Sequence, residues 1–194
     1  MQKLIIATHN KGKLKEFQKL FENKFEVYSL PYNGYDAEVE ETGTTYYENA
    51  LIKAKAVYEN TGELCIADDS GLSVTALNGE PGVYSARYGG ENSTQKQKNA
   101  LIFQRLKDKT DRSAKFVCCL VMYGKGGEIA VGTGEVLGEI LHEECGDGGF
   151  GYDPIFFSSE LGKSFGVATD EEKNSVSHRA RAIQDLLSKL QDKE

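Results

Sequence analysis

The sequence predicts an α/β protein with a mixed, twisted central sheet flanked by helices. In the first third of the chain, short apolar runs alternate with amphipathic segments of helical period, which is typical of strands joined by helices. Further along, the run 115–123 is joined to 128–133 by Gly124-Lys-Gly-Gly127, a pattern typical of an antiparallel hairpin. Because both kinds of strand connection occur, we expect a mixed sheet.

The first half of the chain is predicted as strand, helix, strand, helix. Apolar residues recur at helical spacing from Leu14 to Phe21. Thr45 and Glu48 have the spacing of a capping box, which begins the second helix, and Gly62 ends it. The predicted elements are a strand over 3–8, the helix with that apolar face, a strand over 25–30, and a helix from 45 to about 62.

The second half is richer in strands and has no internal repeat or linker. Its most strand-like stretch is the run 115–123. The predicted elements are strands over 64–67, 72–77, 115–123, 128–133, 134–141 and 154–157, a helix over about 93–107, and a closing helix from about 177.

Length and charge limit the classes of function. The 194 residues are 39% hydrophobic, which is enough for a proper core and predicts one domain over 1–194, or one two-lobed domain. The formal charge of −7 and the lack of a long basic run argue against a nucleic-acid partner. An anionic substrate would then need a local basic pocket or a metal ion.

We expect neither membrane attachment nor disulfides. Met1-Gln-Lys opens directly into a predicted strand, and no apolar run has the length of a signal peptide or a bilayer span. Cys65, Cys118, Cys119 and Cys145 lack CxxC spacing, and two of them are adjacent in an apolar run, which favours reduced, buried thiols over disulfides or zinc. The expected location is the cytoplasm.

Two adjacent carboxylates follow the apolar run 64–67. These are Asp68 and Asp69, and Ser70 and Gly71 come next. Since side chains alternate across a strand, a continued strand would turn one acid toward a cleft and the other toward the scaffold. The pair alone is equally compatible with a solvated loop in which Ser70 acts as a cap.

Cations cluster where two helices are predicted to begin. The segment 8–13 joins the first strand to the first helix and carries Lys11 and Lys13. A cation at a helix N-terminus costs roughly 0.3–1 kcal/mol, and a bound phosphate would remove this cost. Surface lysines that tolerate the cost are the alternative. The last helix start repeats the pattern with Lys173, His178, Arg179 and Arg181.

A glycine-rich segment, 146–151, has the spacing of a dinucleotide-binding fingerprint but the wrong context. No apolar strand precedes it and no helix can follow it. It is therefore interpreted as a flexible loop that leads to Phe150, Tyr152 and Asp153. Aromatic rings can stack on a base for roughly 1–3 kcal/mol each, and Asp153 could accept from base N–H groups. An aromatic core beside a turn is the alternative.

Further acids and a lysine could act with the aspartate pair. Lys53 flanks the apolar face of the second helix and could reach over the pair. The acidic loop with Glu38, Glu40 and Glu41 is expected to be mostly solvated, but one of its carboxylates could complete a magnesium site with Asp69.

Seven segments, taken in order, resemble the inosine triphosphate pyrophosphatase family, whose members remove non-canonical purine nucleotides. Each segment is weak alone, but seven in order, nearly from end to end, are specific. The segments are Thr8-x-Asn10-x-x-Lys13, Glu40-Glu-Thr-Gly43, Glu48-Asn-Ala50 with Lys53, Ala67-Asp-Asp-Ser-Gly71, Pro81-Gly-Val-Tyr-Ser-Ala-Arg87, Gly149-Phe-Gly-Tyr-Asp-Pro154 and Ser177-His-Arg179.

The resemblance implies an elongated α/β fold with a deep cleft between two lobes, usually a homodimer that needs magnesium. It also implies that Asp69 is the catalytic acid, with Lys53 and Asp68 beside it, and that Glu40, preferred here over Glu41, binds magnesium together with Asp69. The implied nucleotide-binding positions are Thr8, His9, Asn10, Lys11, Gly12, Lys13, Ser70, Phe150, Gly151, Tyr152, Asp153, Lys173, His178 and Arg179.

The expected reaction is hydrolysis of ITP, dITP or XTP at the α-phosphate, which yields a monophosphate and pyrophosphate. A donor such as Arg179 would donate a hydrogen bond to the purine 6-oxo oxygen, whereas the amino group of adenine at that position would meet donor with donor. Two alternatives remain open. One is a nucleotide-sensing protein without turnover, and the other is an acidic metal phosphatase that removes one phosphate at a time.

Overall fold

Seven strands form one hydrogen-bonded sheet in the order β2-β1-β3-β4-β5-β6-β7. The structure is a computed structural model, and it describes residues 1–192. The strands are β1 (Gln2–Ile6), β2 (Phe25–Ser29), β3 (Cys65–Val74), β4 (Ser113–Gly124), β5 (Gly127–Ile140), β6 (Phe156–Ser158) and β7 (Lys163–Ser164). The helices are α1 (Lys11–Leu20), α2 (Tyr46–Thr61), α3 (Gln95–Arg105), α4 (Asp170–Val176) and α5 (His178–Gln191).

The sheet is mixed, as predicted. Strand β1 pairs in parallel with both β2 and β3. Strands β5 and β6 pair antiparallel, and so do β6 and β7. The α/β class with a mixed sheet is therefore confirmed. No helix within residues 1–192 combines the length and the apolar content that a bilayer span requires.

The described chain forms two compact units. The first contains residues 1–69, 118–134 and 179–192, and the second contains 70–117 and 135–178. The predicted organisation of the chain as one two-lobed domain stays a prediction.

Apolar residues on both faces of the sheet build the core of the first unit. Leu4 and Ile6 of β1 pack in a cluster with side chains from α1 and α5. Ile5 and Ala7 point the other way and pack in a cluster with side chains from α2. This alternation follows from the two-residue period of a strand, and it places helices on both faces.

An aromatic cluster lies in the core of the second unit. The ring of Phe116 packs 4.6 Å from the ring of Phe156 and 6.1 Å from that of Phe165, measured between centroids. Leu72 and Ile102 are fully buried in the same cluster. Strand β3 therefore contributes core residues to this unit as well as to the first one.

Several details differ from the sequence-based expectations. The runs 64–67 and 72–77 belong largely to one strand, β3, because the backbone stays extended through the aspartates. The runs 128–133 and 134–141 likewise merge into β5. Helix α4 was not predicted, because its seven residues are too short to show a helical period. All four cysteines are free, but Cys145 is exposed rather than buried.

Candidate active site

Strand β3 turns its two aspartates to opposite faces of the sheet. Ile66 packs in the cluster with α1 and α5, and Ala67 packs in the cluster with α2. Asp68 has the same parity as Ile66, and Asp69 has the same parity as Ala67. Their side-chain partners confirm this placement, since Asp68 meets residues of α1 and α5 whereas Asp69 meets a residue of α2. The predicted alternation of the acids is therefore correct.

Asp68 is held by two cations on the α1 and α5 face. Its Oδ2 lies 2.9 Å from Lys13 Nζ and 3.2 Å from Arg179 Nη2. The Arg179 guanidinium is 1% exposed and also pairs with Glu16. Burial alone would raise the pKa of Asp68, but the cations of Lys13, Arg179 and Lys53 outweigh it and hold the pKa well below its usual range. Asp68 is therefore a permanent anion that fixes Lys13 and Arg179.

Asp69 meets a different environment on the α2 face. Its Oδ2 accepts a hydrogen bond from Asn49 Nδ2 at 3.0 Å. The pKa of Asp69 is raised to about 6, because burial and, to a smaller extent, the charge of Glu41 outweigh the lowering by Lys53 and Asn49. A carboxyl group with a pKa near neutrality can exchange a proton during a reaction, which the strongly ionised Asp68 cannot do.

Lys53 joins the acidic loop to the end of the apolar part of β3. Its Nζ lies 2.5 Å from Glu41 Oε1 and 2.6 Å from the main-chain oxygen of Asp68. Although burial opposes its charge, the surrounding carboxylates of Asp68, Glu41 and Asp69 raise the pKa of Lys53. The prediction that Lys53 reaches the acid pair agrees with this geometry. Glu41 is half-buried here, whereas Glu40 is exposed.

The start of α1 presents main-chain N–H groups together with lysines. Asn10 is the N-cap, and its Oδ1 accepts from the Lys13 N–H at 3.0 Å. The Asn10 N–H in turn donates to Thr8 Oγ1 at 3.1 Å. No acidic residue lies in the first turn, which carries Lys11. This combination of a positive helix end and cations is suited to an anion such as phosphate.

His9 lies in the same junction but is turned toward the loop after β2. Its Nε2 lies 2.7 Å from Asp36 Oδ1, and both side chains are exposed. Gly12, the second residue of α1, follows the N-cap within the same helix turn. The segment 8–13 is therefore continuous at the start of α1, with His9 tied by its side chain to Asp36.

A buried ion pair organises the glycine-rich loop of the second unit. Lys173 Nζ lies 2.6 Å from Asp153 Oδ2, and the same oxygen accepts from the Phe150 N–H at 2.8 Å. Lys173 Nζ also lies 4.5 Å from the centroid of the Phe150 ring, a cation–π distance. Gly149 has φ +68°, and a Cβ there would lie 2.2 Å from Asp153 Oδ2. The tight loop therefore requires glycine at this position.

Of the remaining predicted positions of the second unit, Tyr152 and His178 are buried. Tyr152 Oη donates to the main-chain oxygen of Ser85 at 2.8 Å. The ring of His178 stacks on Phe116 with centroids 4.9 Å apart. Gly151 has φ +62° and Ser70 is half-buried.

The cations near α5 have acidic partners within the protein. Lys173 pairs with Asp153 in the second unit. Arg179 pairs with Glu16 and Asp68 in the first. These partners explain why cations are tolerated at this helix start, so the sequence-based argument for anion binding there loses its force. Lys13 of α1 also has an acidic partner, Asp68, although the first turn of that helix carries no acidic residue.

Two residues that contact Asp68, Asp69 or their partners had no assigned role in the sequence analysis. Glu16 lies on α1 and pairs with Arg179, which is 163 positions away in the chain. Asn49 belongs to the segment Glu48-Asn-Ala50 that supported the family resemblance, but its contact with Asp69 spans 20 positions. In the sequence, the only indication of such a buried contact is that Glu16 and Asn49 are each a polar residue next to the apolar positions of an amphipathic helix.

Known proteins resemble this chain over nearly its full length. The model of the Ham1 family matches residues 4–189. The dITP/XTP pyrophosphatase of Bacillus subtilis is 46% identical over 193 residues, which cover 98% of this chain and 97% of the relative. The Ham1 protein of Staphylococcus aureus has a solved structure that is 41% identical, with a TM-score of 0.88 and full coverage of both chains.

A second solved structure comes from Mycobacterium abscessus and is described as a nucleoside-triphosphatase / dITP/XTP pyrophosphatase. It is 41% identical, with a TM-score of 0.77, and covers 95% of this chain and 98% of its own.

The mixed sheet and the charged network on β3 define an α/β protein with a candidate polyanion site. Its match to the family model and to these relatives is close and nearly complete. The chain therefore belongs to the Ham1 family. The resemblance predicted from the seven segments is confirmed.

Proposed function

We propose that this chain hydrolyses non-canonical purine nucleoside triphosphates, namely ITP, dITP and XTP, to the monophosphate and pyrophosphate. The observation that carries the proposal is the charge arrangement around β3. One acid, Asp68, is locked as an anion beneath Lys13, while its neighbour Asp69 has a pKa of about 6 and lies on the face of Lys53. The names of the relatives, dITP/XTP pyrophosphatases, support the same substrates.

The donor set fits magnesium. Glu41 and Asp69 offer carboxylate oxygens, and the charge of Glu41 contributes to the raised pKa of Asp69, so the two lie within electrostatic reach. Within residues 1–192, no group of three or more His, Cys, Asp or Glu side chains is arranged to hold an ion. Two carboxylates completed by substrate phosphate oxygens and water match the usual binding of magnesium. We assign Glu41 and Asp69 as the ligands, because Glu40 is exposed.

Each charged residue then has a distinct task in hydrolysis. Lys13 and the N-terminus of α1 bind phosphate oxygens and offset their charge. Lys53 stabilises the charge that develops on the leaving pyrophosphate. Asp69 accepts a proton from the attacking water as the oxygen bonds to the α-phosphorus and the bond to the pyrophosphate oxygen breaks. Bound magnesium would supply further positive charge to the phosphate oxygens and lower the pKa of the water.

Residues of the second unit keep their predicted role in binding the nucleoside. Phe150 offers an aromatic face, and its N–H is fixed by the ion pair of Asp153 with Lys173. Tyr152 and His178 are held by Ser85 and Phe116. The remaining predicted nucleoside contacts are Ser70 and Gly151 of this unit and Arg179 of the first unit.

Arg179 has a second task that follows from its burial. Because its guanidinium bridges Glu16 and Asp68, we propose that it supports Asp68 whether or not it also meets the purine.

The experiment is a triphosphate panel with magnesium in H2(18)O. ITP, dITP, XTP, ATP and GTP are incubated with the protein, and the products are separated and weighed by mass spectrometry. We expect inosine or xanthosine monophosphate that carries the (18)O label, together with unlabelled pyrophosphate, because water attacks the α-phosphorus. Release of a diphosphate and inorganic phosphate would support the stepwise phosphatase instead.

A variant separates catalysis from binding. Asp69→Asn keeps the size of the side chain but removes its capacity to take a proton, so we expect it to abolish turnover while the protein still binds ITP. Absence of turnover in the wild-type protein would favour the nucleotide-sensing alternative. The family resemblance further predicts a homodimer in the cytoplasm, which sedimentation analysis and microscopy of the tagged protein would test.

A further inference from the structure

Both polar atoms of the Asn49 side chain form hydrogen bonds, and the residue is fully buried. Asn49 lies in the first turns of α2. Its Oδ1 accepts a hydrogen bond from the Gly43 N–H at 2.8 Å, and its Nδ2 donates to Asp69 Oδ2 at 3.0 Å. One amide group therefore links the loop before α2 to the acid on β3.

The chemistry of the two partners allows only one orientation of this amide. A main-chain N–H can only donate, so it requires the amide oxygen, and an ionised carboxylate can only accept, so it requires the amide nitrogen. A flipped Asn49 would face donor against donor at Gly43 and acceptor against acceptor at Asp69. Aspartate could serve Gly43 but not an ionised Asp69, and leucine could serve neither.

The loop before α2 packs closely against this helix. A Cβ on Gly43 would lie 2.6 Å from Glu48 Cβ and 2.7 Å from Asn49 Oδ1. Glu48 Oε2 accepts from the Thr44 N–H at 2.7 Å as part of the capping arrangement of α2. Glu41 is only two residues before Gly43, and its carboxylate pairs with Lys53 of the same helix. Asn49 therefore fixes both Asp69 and the loop that carries Glu41 to helix α2.

We propose that Asn49 is a positioning residue that sets the distance and orientation between the carboxylates of Glu41 and Asp69. The proposal rests on the proposed function, in which these two groups bind the metal. Hydrogen-bond partners of metal-binding carboxylates contribute about 10–100-fold to metal affinity or activity when they are removed. The substrate itself is held mainly by other groups, so the loss should appear in kcat and in metal affinity rather than in the KM for the nucleotide.

Asn99 offers a matched control in the second unit. It is also buried on a helix that begins with a capping box, its Nδ2 donates to Glu144 Oε1 at 2.8 Å, and its Oδ1 accepts from Gln95 at 2.9 Å. Asn49→Leu and Asn99→Leu therefore make the same chemical change in the same kind of environment. Only the first touches the proposed metal ligands.

The test measures kcat and KM for ITP at saturating metal, and also the binding of Mn²⁺ to the nucleotide-free protein by electron paramagnetic resonance of the free ion. Mn²⁺ prefers the same oxygen ligands as magnesium. We expect Asn49→Leu to lower kcat about 10–100-fold and to weaken Mn²⁺ binding about tenfold or more, with a KM within about threefold of wild type. Asn99→Leu should keep kcat and Mn²⁺ affinity within about threefold of wild type, even if it lowers the melting temperature as much as Asn49→Leu does.

Wild-type kcat and Mn²⁺ binding in Asn49→Leu, or equal losses in both leucine variants, would overturn the proposal. If Asn49→Leu does not fold, Asn49→Asp decides, since it keeps an acceptor for Gly43 and loses the donor to Asp69. A tenfold or larger loss of kcat in folded Asn49→Asp supports positioning, and wild-type kcat contradicts it. Failure of the proposed function is recognised separately, because the wild-type protein would then release no monophosphate and pyrophosphate from ITP.

Discussion

Replacement of Arg179 by methionine tests whether the charge network beneath the candidate site is a structural necessity. The guanidinium is 1% exposed and bridges the carboxylates of Glu16 and Asp68, with the ring of Phe17 centred 5.5 Å from its Cζ. Methionine keeps much of the apolar volume of the arginine stem but removes the charge. The perturbation therefore isolates the electrostatic contribution.

The expected loss of stability follows from the cation that each carboxylate loses. Removing one partner of a buried ion pair typically costs 3–5 kcal/mol, because the other charge stays in a medium of low polarity. Asp68 retains Lys13 at 2.9 Å, whereas Glu16 loses the guanidinium altogether. We expect Arg179→Met to lower the free energy of unfolding by about 3–5 kcal/mol. The double variant Glu16→Gln/Arg179→Met removes both charges and should recover about 1–3 kcal/mol.

The assay is urea unfolding followed by circular dichroism, with the free energy extrapolated to water. Lys55→Met is the matched control, since Lys55 is exposed and its only described ion pair, with Glu59 at 3.8 Å, lies on the surface of α2. An exposed pair of this kind contributes less than about 1 kcal/mol. If Arg179→Met were as stable as Lys55→Met, or if adding Glu16→Gln gave no recovery, the network would not be held together by charge.

Three further predictions concern activity, metal binding and the second unit. Lys13→Met should lower kcat/KM for ITP by about 100-fold or more through the loss of a phosphate-binding cation, as steady-state kinetics would show, and a change below about threefold would contradict its role. Because burial raises the pKa of Asp69 to about 6 in the metal-free site, protons compete with a metal ion for its carboxylate below that pH, so the affinity for Mn²⁺ should fall about tenfold per pH unit, and an affinity that stays constant down to pH 4 would contradict Asp69 as a ligand. Lys173→Met leaves Asp153 buried without its cation and should lower the free energy of unfolding by about 3–5 kcal/mol, and a loss below about 1 kcal/mol would contradict the structural role of this pair.

The two faces of β3 divide the work of the acid pair. Asp68 faces α1 and α5, where its cations keep it ionised and where it has no proton to exchange. Asp69 faces α2, where burial outweighs the nearby lysine and raises its pKa. One strand thus carries a structural anion and a titratable acid at adjacent positions, because consecutive side chains point in opposite directions.

Local sequence determined the parts of this protein that depend on near neighbours along the chain. The capping box at Thr45 and Glu48 and the glycine end of α2 at Gly62 could be predicted because these contacts span only a few residues. The alternation of Asp68 and Asp69 followed from strand geometry alone. Order along the chain also sufficed to recognise the family, since seven short segments in sequence are specific even though each is weak.

Tertiary structure decided which charges meet. Arg179 could not be paired with Glu16 or Asp68 from the sequence, because these residues come from three elements far apart in the chain. The proposed choice of Glu41 over Glu40 rests on how the loop lies against Lys53, and the proposed role of Asn49 rests on a contact from α2 to β3. The physical reason is that ion pairing, burial and the resulting pKa values are set by distances through space, whereas sequence patterns report only distances along the chain.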